Sequence, residues 1–513
     1  MTTSINPATG EKIGDFPLNT SDELKAMVEK ARQAQPLWAA LPVKERVARI
    51  RRIRDFIAEN VDRIADIISR ENGKPRVDAL ATEVLSSAMA VDFYCKHAAR
   101  FLKEVKLPMG NILLANKRSK LLRVPYGVIG VVSPWNYPFT LPFSDVIIAL
   151  LAGNAVILKA ASATQATGQL LKEAIAAAKL PEGIFSYINM PGPAAGDAFL
   201  ASGIDKLMFT GSVATGKTLM RKAADTLTPL LLELGGKDAM IVCEDADLER
   251  AAGGAIWAGL SATGQSCAGI ERIYVHKEVY DKFLSLLKKR IDSLRIGPDK
   301  DFNVDMGSMT LMRQVEKVKT HLADALQKGA KIYAQKDPPA GSSDFFLPAM
   351  VLTEVNHDML VMKEETFGPV VGVMKFDNID EAIRLANDSD LGLTGSVWSK
   401  NAKKAETIAR RIEAGVVTIN DHLMSHGLAE TPWGGFKLSG YGRTHGYLGF
   451  EEVTQTQTII HDLLPTKKDL WWFPSEKELY DGLRGALIML YGKRERLKAL
   501  WKFIRIVPRM FRS

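Results

Sequence analysis

Short apolar runs alternate with alanine-rich stretches of helical period along this chain, and that alternation restricts its fold more than any other feature. Residues 121–133 are rich in Val, Ile and Gly and stop at Pro134, as a buried parallel strand followed by a loop would. Ala155-Val156-Ile157-Leu158, Lys206-Leu207-Met208-Phe209-Thr210 and Ala239-Met240-Ile241-Val242-Cys243 read the same way, with helical stretches such as residues 169–179 between them. Ahead of them, residues 22–70 read as amphipathic helices, with Leu24, Met27, Val28 and Ala31 at helical spacing and Thr20-Ser21-Asp22 as candidate caps. The pattern returns after a helical stretch at Leu248–Leu260, with strands at Ile273-Tyr274-Val275 and Val416–Ile419 and helices around residues 280–294 and 402–412. Such alternation predicts a doubly wound α/β sheet and a second α/β domain.

The 513 residues, 46% hydrophobic and 25% charged, suffice for a large core in two or three domains. Cys95, Cys243 and Cys267 are too few and too scattered for a disulfide framework or a metal cluster, so a reduced compartment and no metal site are expected. Met1-Thr2-Thr3-Ser4-Ile5-Asn6-Pro7 has neither a basic run nor an apolar stretch of signal-peptide length, which points to the cytoplasm. The net charge of +8 is lopsided: residues 464–513 hold twelve Lys or Arg against five Asp or Glu, a net of +7, leaving +1 for the rest.

Two segments carry chemistry. Cys267 closes Gly264-Gln265-Ser266-Cys267, and Glu233 precedes it by 34 positions in Leu232-Glu233-Leu234-Gly235-Gly236-Lys237. A thiol nucleophile and a carboxylate base are what a covalent oxidation ending in hydrolysis requires. Cys95 and Cys243 fit buried core thiols, whereas Cys267 follows a polar turn. A carboxyl group between leucines is either a buried, satisfied side chain or one with a pKa raised for proton transfer. Asn136, in Pro134-Trp135-Asn136-Tyr137-Pro138, follows a strand and can reach the crevice at the carboxyl end of a parallel sheet; taken alone, it would read as a turn residue. Gly211 to Thr218 also satisfies Gly-x-x-x-x-Gly-Lys-Ser/Thr, which makes an ATPase a rival class, with Glu244 and Asp245 as magnesium candidates. That reading leaves the other motifs unexplained.

These segments, with Asn6-Pro7-Ala8-Thr9-Gly10, Glu364-Glu365-Thr366-Phe367-Gly368-Pro369-Val370 and Pro432-Trp433-Gly434-Gly435-Phe436-Lys437-Leu438-Ser439-Gly440, resemble the aldehyde dehydrogenase superfamily from about Asn6 to about His461. The resemblance implies a Rossmann-type NAD(P)-binding domain (1–106 and 123–234), an α/β catalytic domain (235–442) and a small β oligomerisation arm (107–122 and 452–462) of a homodimer or homotetramer. It implies oxidation of an aldehyde to an acid, with Cys267 as nucleophile, Asn136 and the Cys267 amide as oxyanion donors, and Glu233 as hydrolytic base. NAD or NADP would be held by Trp135, Lys159, Ser162, Gly211, Ser212, Gly216, Glu365 and Phe367. A protein of this fold kept for a structural role without activity is the remaining rival; no nucleic acid is expected as partner.

Three positions depart from the family pattern. Ser162 stands where strict NAD enzymes often carry Glu, which leaves room for a 2′-phosphate. Asp145 stands where many members have a Lys, and Thr444 replaces the Glu common after Gly442-Arg443, so no proton-relay role carries over there. The loop of His422 and His426 lies where the family lines its substrate entrance, and two His at i, i+4 lack the further ligands of a metal site. No clustered arginines flank Cys267, which favours an apolar aldehyde over an acidic one.

Beyond His461 the basic extension 464–513 carries Trp471-Trp472-Phe473, Leu487-Ile488-Met489-Leu490-Tyr491 and Leu500-Trp501-Lys502-Phe503-Ile504. No apolar run there reaches the roughly 18 residues that span a bilayer. Two readings stay open: an amphipathic segment lying in an anionic membrane surface, or a helical extension packed on protein with its basic face solvated.

Overall fold

The valine- and isoleucine-rich runs become the inner strands of two sheets, because strands apolar on both faces need cover on both sides. The structure, a computed structural model, describes residues 1–511 and divides into two units, Met1–Lys103 with Arg123–Gln455, and Glu104–Leu122 with Thr456–Ser513.

The first sheet of the larger unit has six strands in the order Gly440–Tyr441, Leu230–Glu233, Lys206–Thr210, Val128–Val132, Ala155–Lys159, Phe185–Ile188. All pair in parallel except the antiparallel edge Gly440–Tyr441. Strand order reverses at Val128–Val132, so a crevice opens at the carboxyl ends of Val128–Val132 and Lys206–Thr210. The helix Thr140–Ala152 is buried at every residue. The second sheet has seven strands in the order Lys331–Lys336, Ala349–Thr353, Val370–Phe376, Ile270–His276, Asp238–Val242, Thr394–Trp398, Val416–Ile419, with only Lys331–Lys336 antiparallel. The architecture is the expected α/β class.

The helical start resolves into Ser21–Ala40, Val43–Glu59 and Val61–Asn72. Thr20 caps the first of these in a capping box: its Oγ1 accepts from Glu23 N at 3.2 Å, and Glu23 accepts from Thr20 N at 2.6 Å. One expectation fails. Residues 121–133 are not one strand but the end of Lys117–Pro125 and the whole of Val128–Val132, in different sheets. Gly127, at φ +130°, makes the break, and a Cβ there would strike the Asp205 carboxylate that accepts from Val128 N.

In the smaller unit, Lys117–Pro125 lies between Val105–Lys106 and Thr454–Asp462. The extension folds as two helices, Lys477–Tyr491 and Arg496–Ile506, around a core of Leu470, Leu479 and Ile506. Lys117 Nζ ties it to the strands by pairing with Asp462 at 2.5 Å and Asp469 at 2.7 Å, and Asn111 Nδ2 donates to Tyr491 Oη at 3.0 Å. Among the described residues, no helix is long and apolar enough to cross a membrane.

Candidate active site

Cys267 is presented by a turn that is costly to form. After the helix Leu248–Leu260, Ala262 and Thr263 adopt φ values of 49° and 59°, a left-handed conformation that non-glycine residues hold only when their surroundings enforce it. Asp78 enforces it, its Oδ2 accepting from Ser261 Oγ at 2.9 Å and Ala262 N at 2.7 Å. Gln265 adds two bonds, donating to Ala262 O at 2.9 Å and accepting from Thr310 N at 2.9 Å. Across from this turn, a Cβ on Gly235 would meet the Glu365 carboxylate at 2.6 Å and one on Gly236 would strike the Cys267 carbonyl. The paired glycines after Glu233 therefore permit close approach of the two signature segments.

Asn136 is buried, and its Nδ2 donates to Gln265 O at 3.1 Å, joining its loop to the thiol's turn. Its own carbonyl accepts from Lys74 Nζ at 2.9 Å and Asn72 Nδ2 at 3.2 Å. Lys74 pairs at 2.8 Å with Glu83, whose other oxygen accepts from Phe139 N at 2.8 Å and Thr140 N at 3.3 Å. Both charges are wholly buried, and a buried ion pair of this kind persists only with its remaining valences satisfied. Sequence reading missed Asp78, Lys74 and Glu83; Lys74 lies in the turn between helices Val61–Asn72 and Arg76–Ala79, Asp78 and Glu83 on helical turns, and a charged residue in either setting reads as a surface position.

A cavity of about 190 Å³ reaches Cys267 between Leu85, Met89, Leu141, Trp257, Met424 and Trp433. No Asp, Glu, Lys or Arg lines it. Behind the thiol, a smaller cavity is shared by Cys267, Glu233, Asp145, Thr444 and Trp433. Neither Glu233 oxygen has a partner in hydrogen-bonding geometry. Burial pushes its pKa well up, the Asp145 carboxylate adds to this, and Arg443 and Trp433 oppose it. Asp145 accepts from Thr444 Oγ1 at 2.9 Å, and burial raises its pKa to about 7. Two of the three departures from the family pattern, Asp145 and Thr444, thus bond to each other. The Cys267 thiol is also pushed up, first by burial and then by the Glu365, Asp238 and Glu233 carboxylates.

The two histidines of the entrance loop have separate fates. His422 Nε2 donates to Ala268 O at 3.0 Å, while His426 lines the cavity with its ring 5.0 Å from Trp433 and 4.5 Å from His445. Burial lowers both His422 and His426 to about 4, so both are neutral at pH 7.

At the switch point lies a groove of about 1080 Å³ lined by Trp135, Lys159, Ser162, Phe209, Gly211, Ser212 and Thr215. Lys159 is buried at a strand end, its pKa lowered to about 8, and among the described residues no carboxylate pairs with it. Ser212 caps the helix Val213–Ala223, accepting from Thr215 N at 3.3 Å. A buried cation facing a groove beside a helix N-terminus, with Lys222 and Arg313 also on the lining, suits a ribose and a pyrophosphate. Gly216 does not line the groove; a Cβ there would meet Leu234 at 2.8 Å, so its role is packing. Glu365 accepts from Gly236 N at 3.1 Å, and Phe367, at φ 58°, sets its ring 5.7 Å from Trp135. Glu271, missed in the sequence, holds that bend by accepting from Thr366 N at 2.8 Å and Phe367 N at 2.9 Å while pairing with Lys237.

The same geometry overturns the ATPase. Its helix begins at Val213, so Gly216, Lys217 and Thr218 sit inside the first turns instead of a phosphate-wrapping loop, and Lys217 points to solvent. Thr218 Oγ1 is bonded to Ala214 O at 3.0 Å, and Glu244 pairs with Lys404 at 2.6 Å.

Comparison with known proteins agrees. The Aldehyde dehydrogenase family model matches residues 1–459. A 4,4'-diapolycopene aldehyde oxidase of Methylomonas sp is 37% identical over 495 residues, 96% of this chain and 92% of that protein. A putative succinate-semialdehyde dehydrogenase [NADP(+)] 2 of Mycobacterium ulcerans is 38% identical over 452 residues, covering 88% and 86% of the two chains. Among solved structures, an aldehyde dehydrogenase of Brucella melitensis biovar abortus 2308 superposes with a TM-score of 0.85 at 34% identity, covering 90% of this chain and 94% of that one. A Mycobacterium tuberculosis aldehyde dehydrogenase complexed with NAD+ gives a TM-score of 0.85 at 32% identity over 91% and 95% of the chains. By fold and by relatives, this chain belongs to the aldehyde dehydrogenase family, oxidoreductases that act on aldehydes with NAD or NADP.

Proposed function

We propose that this enzyme oxidises an extended, apolar aldehyde to its carboxylic acid through a thioester on Cys267. The observation that carries the substrate class is the wall of the cavity before the thiol, where Leu, Met and Trp side chains outnumber the hydroxyl-bearing Thr82, Ser86, Tyr137, Thr140 and Ser266 and no Asp, Glu, Lys or Arg appears. A carboxylate-bearing substrate such as succinate semialdehyde would be desolvated there with no cation to meet it, because His426 is neutral. The Methylomonas relative, named for a diapolycopene aldehyde, matches over a length that must run past residue 463 into the extension.

In this reading Cys267 Sγ attacks the carbonyl carbon, and the oxyanion is held by Asn136 Nδ2 and the Cys267 N–H. The Asn136 amide has a second hydrogen beyond the one given to Gln265. The chemistry that a bound NAD or NADP supplies is acceptance of the hydride as the thiohemiacetal becomes a thioester. Glu233, unbonded in the cavity shared with Cys267, is the base for the water that cleaves that thioester.

A series of straight-chain aldehydes tests the substrate class. kcat/KM should climb about threefold per added methylene while the chain still fits, and the best member should exceed succinic semialdehyde by at least about 10²-fold. Preference for succinic semialdehyde would overturn it. Ser162 lines the cofactor groove near Lys159, its Oγ donating to Met190 O at 3.4 Å. Ser162→Glu should lower kcat/KM for NADP about 10²-fold and leave NAD nearly unchanged, since only NADP brings a second anion to that wall. Equal losses with both cofactors would place the 2′-phosphate elsewhere.

A further inference from the structure

We propose that the helical hairpin of the smaller unit docks on an anionic lipid surface. Helix Arg496–Ile506 turns Ala499, Phe503 and Ile506 toward helix Lys477–Tyr491, where glycines leave room: a Cβ on Gly482 would meet Ile506 at 2.5 Å, and one on Gly485 would meet Ala499 O at 2.5 Å. That contact fixes the rotation of the second helix. Its other apolar side is then left to solvent: Leu497, Trp501 and Ile504 are 79%, 68% and 47% exposed, and with half-buried Leu500 they follow an i, i+3, i+4, i+7 stripe. A helix in water has no use for two apolar faces. Lys498, Lys502 and Arg505, all exposed, border the stripe between it and the packed face.

More apolar surface belongs to the same unit. Trp471, Trp472 and Phe473 are 44%, 54% and 86% exposed, and Arg509, just past the second helix, donates to Trp472 O at 3.4 Å and Pro474 O at 2.6 Å, keeping that loop by the hairpin. Tryptophans with flanking lysine and arginine suit the boundary between acyl chains and headgroups.

Charge selects the occupant. Residues 104–122 and 456–513 hold sixteen Lys or Arg against seven Asp or Glu, a net of +9 in a chain whose total is +8. A second copy meeting this hairpin with its own would bring the +7 of another copy's residues 464–513 against it, whereas an anionic bilayer is attracted. The inference does not depend on which aldehyde is the substrate.

The test is co-flotation of the full-length enzyme with lipid vesicles. Phosphatidylcholine vesicles containing about 30 mol % phosphatidylserine should carry the enzyme upward, pure phosphatidylcholine vesicles should not, and about 0.5 M salt should weaken the binding. The double variant Leu497→Ser/Trp501→Ser should lose at least about 10-fold in vesicle affinity with aldehyde turnover and solution mass unchanged, and Lys498→Glu/Lys502→Glu/Arg505→Glu should abolish the preference for anionic lipid. Absence of flotation at low salt, or flotation undiminished in both variants, would overturn the proposal. So would a fall in solution mass in Leu497→Ser/Trp501→Ser, because the stripe would then be covered by a second copy.

Discussion

Cys267→Ala should lower aldehyde-dependent reduction of NAD or NADP by at least about 10⁴-fold and leave the folded enzyme intact. The magnitude follows from the absence of a substitute: Cys95 and Cys243 are buried thiols whose pKa burial raises to about 12, and neither lines the cavity that takes the aldehyde. The fold should survive because the turn is fixed by Asp78, Gln265 and the space over Gly236, none of which uses the sulfur. Steady-state absorbance of the reduced nicotinamide, with thermal unfolding as control, checks both halves. Cys267→Ser is the sharper form, since it keeps a polar atom in place but offers an alcohol that is a weaker nucleophile at neutral pH; activity in it near the parent level would end the thioester reading.

The parts of this enzyme that were legible in its sequence are those whose signal is local. Lys206–Thr210 and Val416–Ile419 are strands as read, because an apolar run between turn residues needs no distant information. Cys267 and Glu233 share one cavity, and each carried a local mark in the sequence, a polar turn before the thiol and a leucine on either side of the carboxylate, to which the resemblance attached a role. Gly216 shows the limit of a motif: it satisfies a phosphate-loop pattern, yet its contact is with Leu234, a packing requirement that spacing cannot express. The groups that hold the site in shape were invisible for a related reason. Lys74 gains meaning only against Glu83 and Asn136, Asp78 against Ser261, and Glu271 against Lys237 and Phe367. Each partner lies far away in sequence or on another element, and a charged residue on a turn, helix or strand gives no sign of which side will be closed. The strand break at Gly127 was missed because Val, Ile and Gly run continuously through two sheets.

Glu233→Gln should split the reaction in two: a first turnover that releases about one reduced nicotinamide per site, followed by steady-state turnover slowed by about 10²- to 10⁴-fold. The amide has nearly the shape of the carboxyl group but cannot take a proton from water, so the thioester forms and waits. Rapid-mixing absorbance measures the burst, and intact-protein mass spectrometry measures the acylated enzyme that should accumulate. Loss of the burst as well would mean that Glu233 also removes the thiol proton, a step made demanding by the raised thiol pKa. In the parent enzyme, hydrolysis should quicken as pH rises through the elevated Glu233 pKa, and the variant should lack that rise. Stability should move the other way. Because the folded state binds the Glu233 proton more tightly than the unfolded chain, stability falls as pH climbs above the ordinary carboxyl value of about 4.3. Removing that group should therefore give the variant the higher Tm at alkaline pH, with the gap closing toward acid, where both forms carry an uncharged side chain. A carboxylate left without a protein partner in a buried cavity is a stability cost accepted for the base it provides, and a Tm equal to the parent's at every pH would show that its burial carries no such cost.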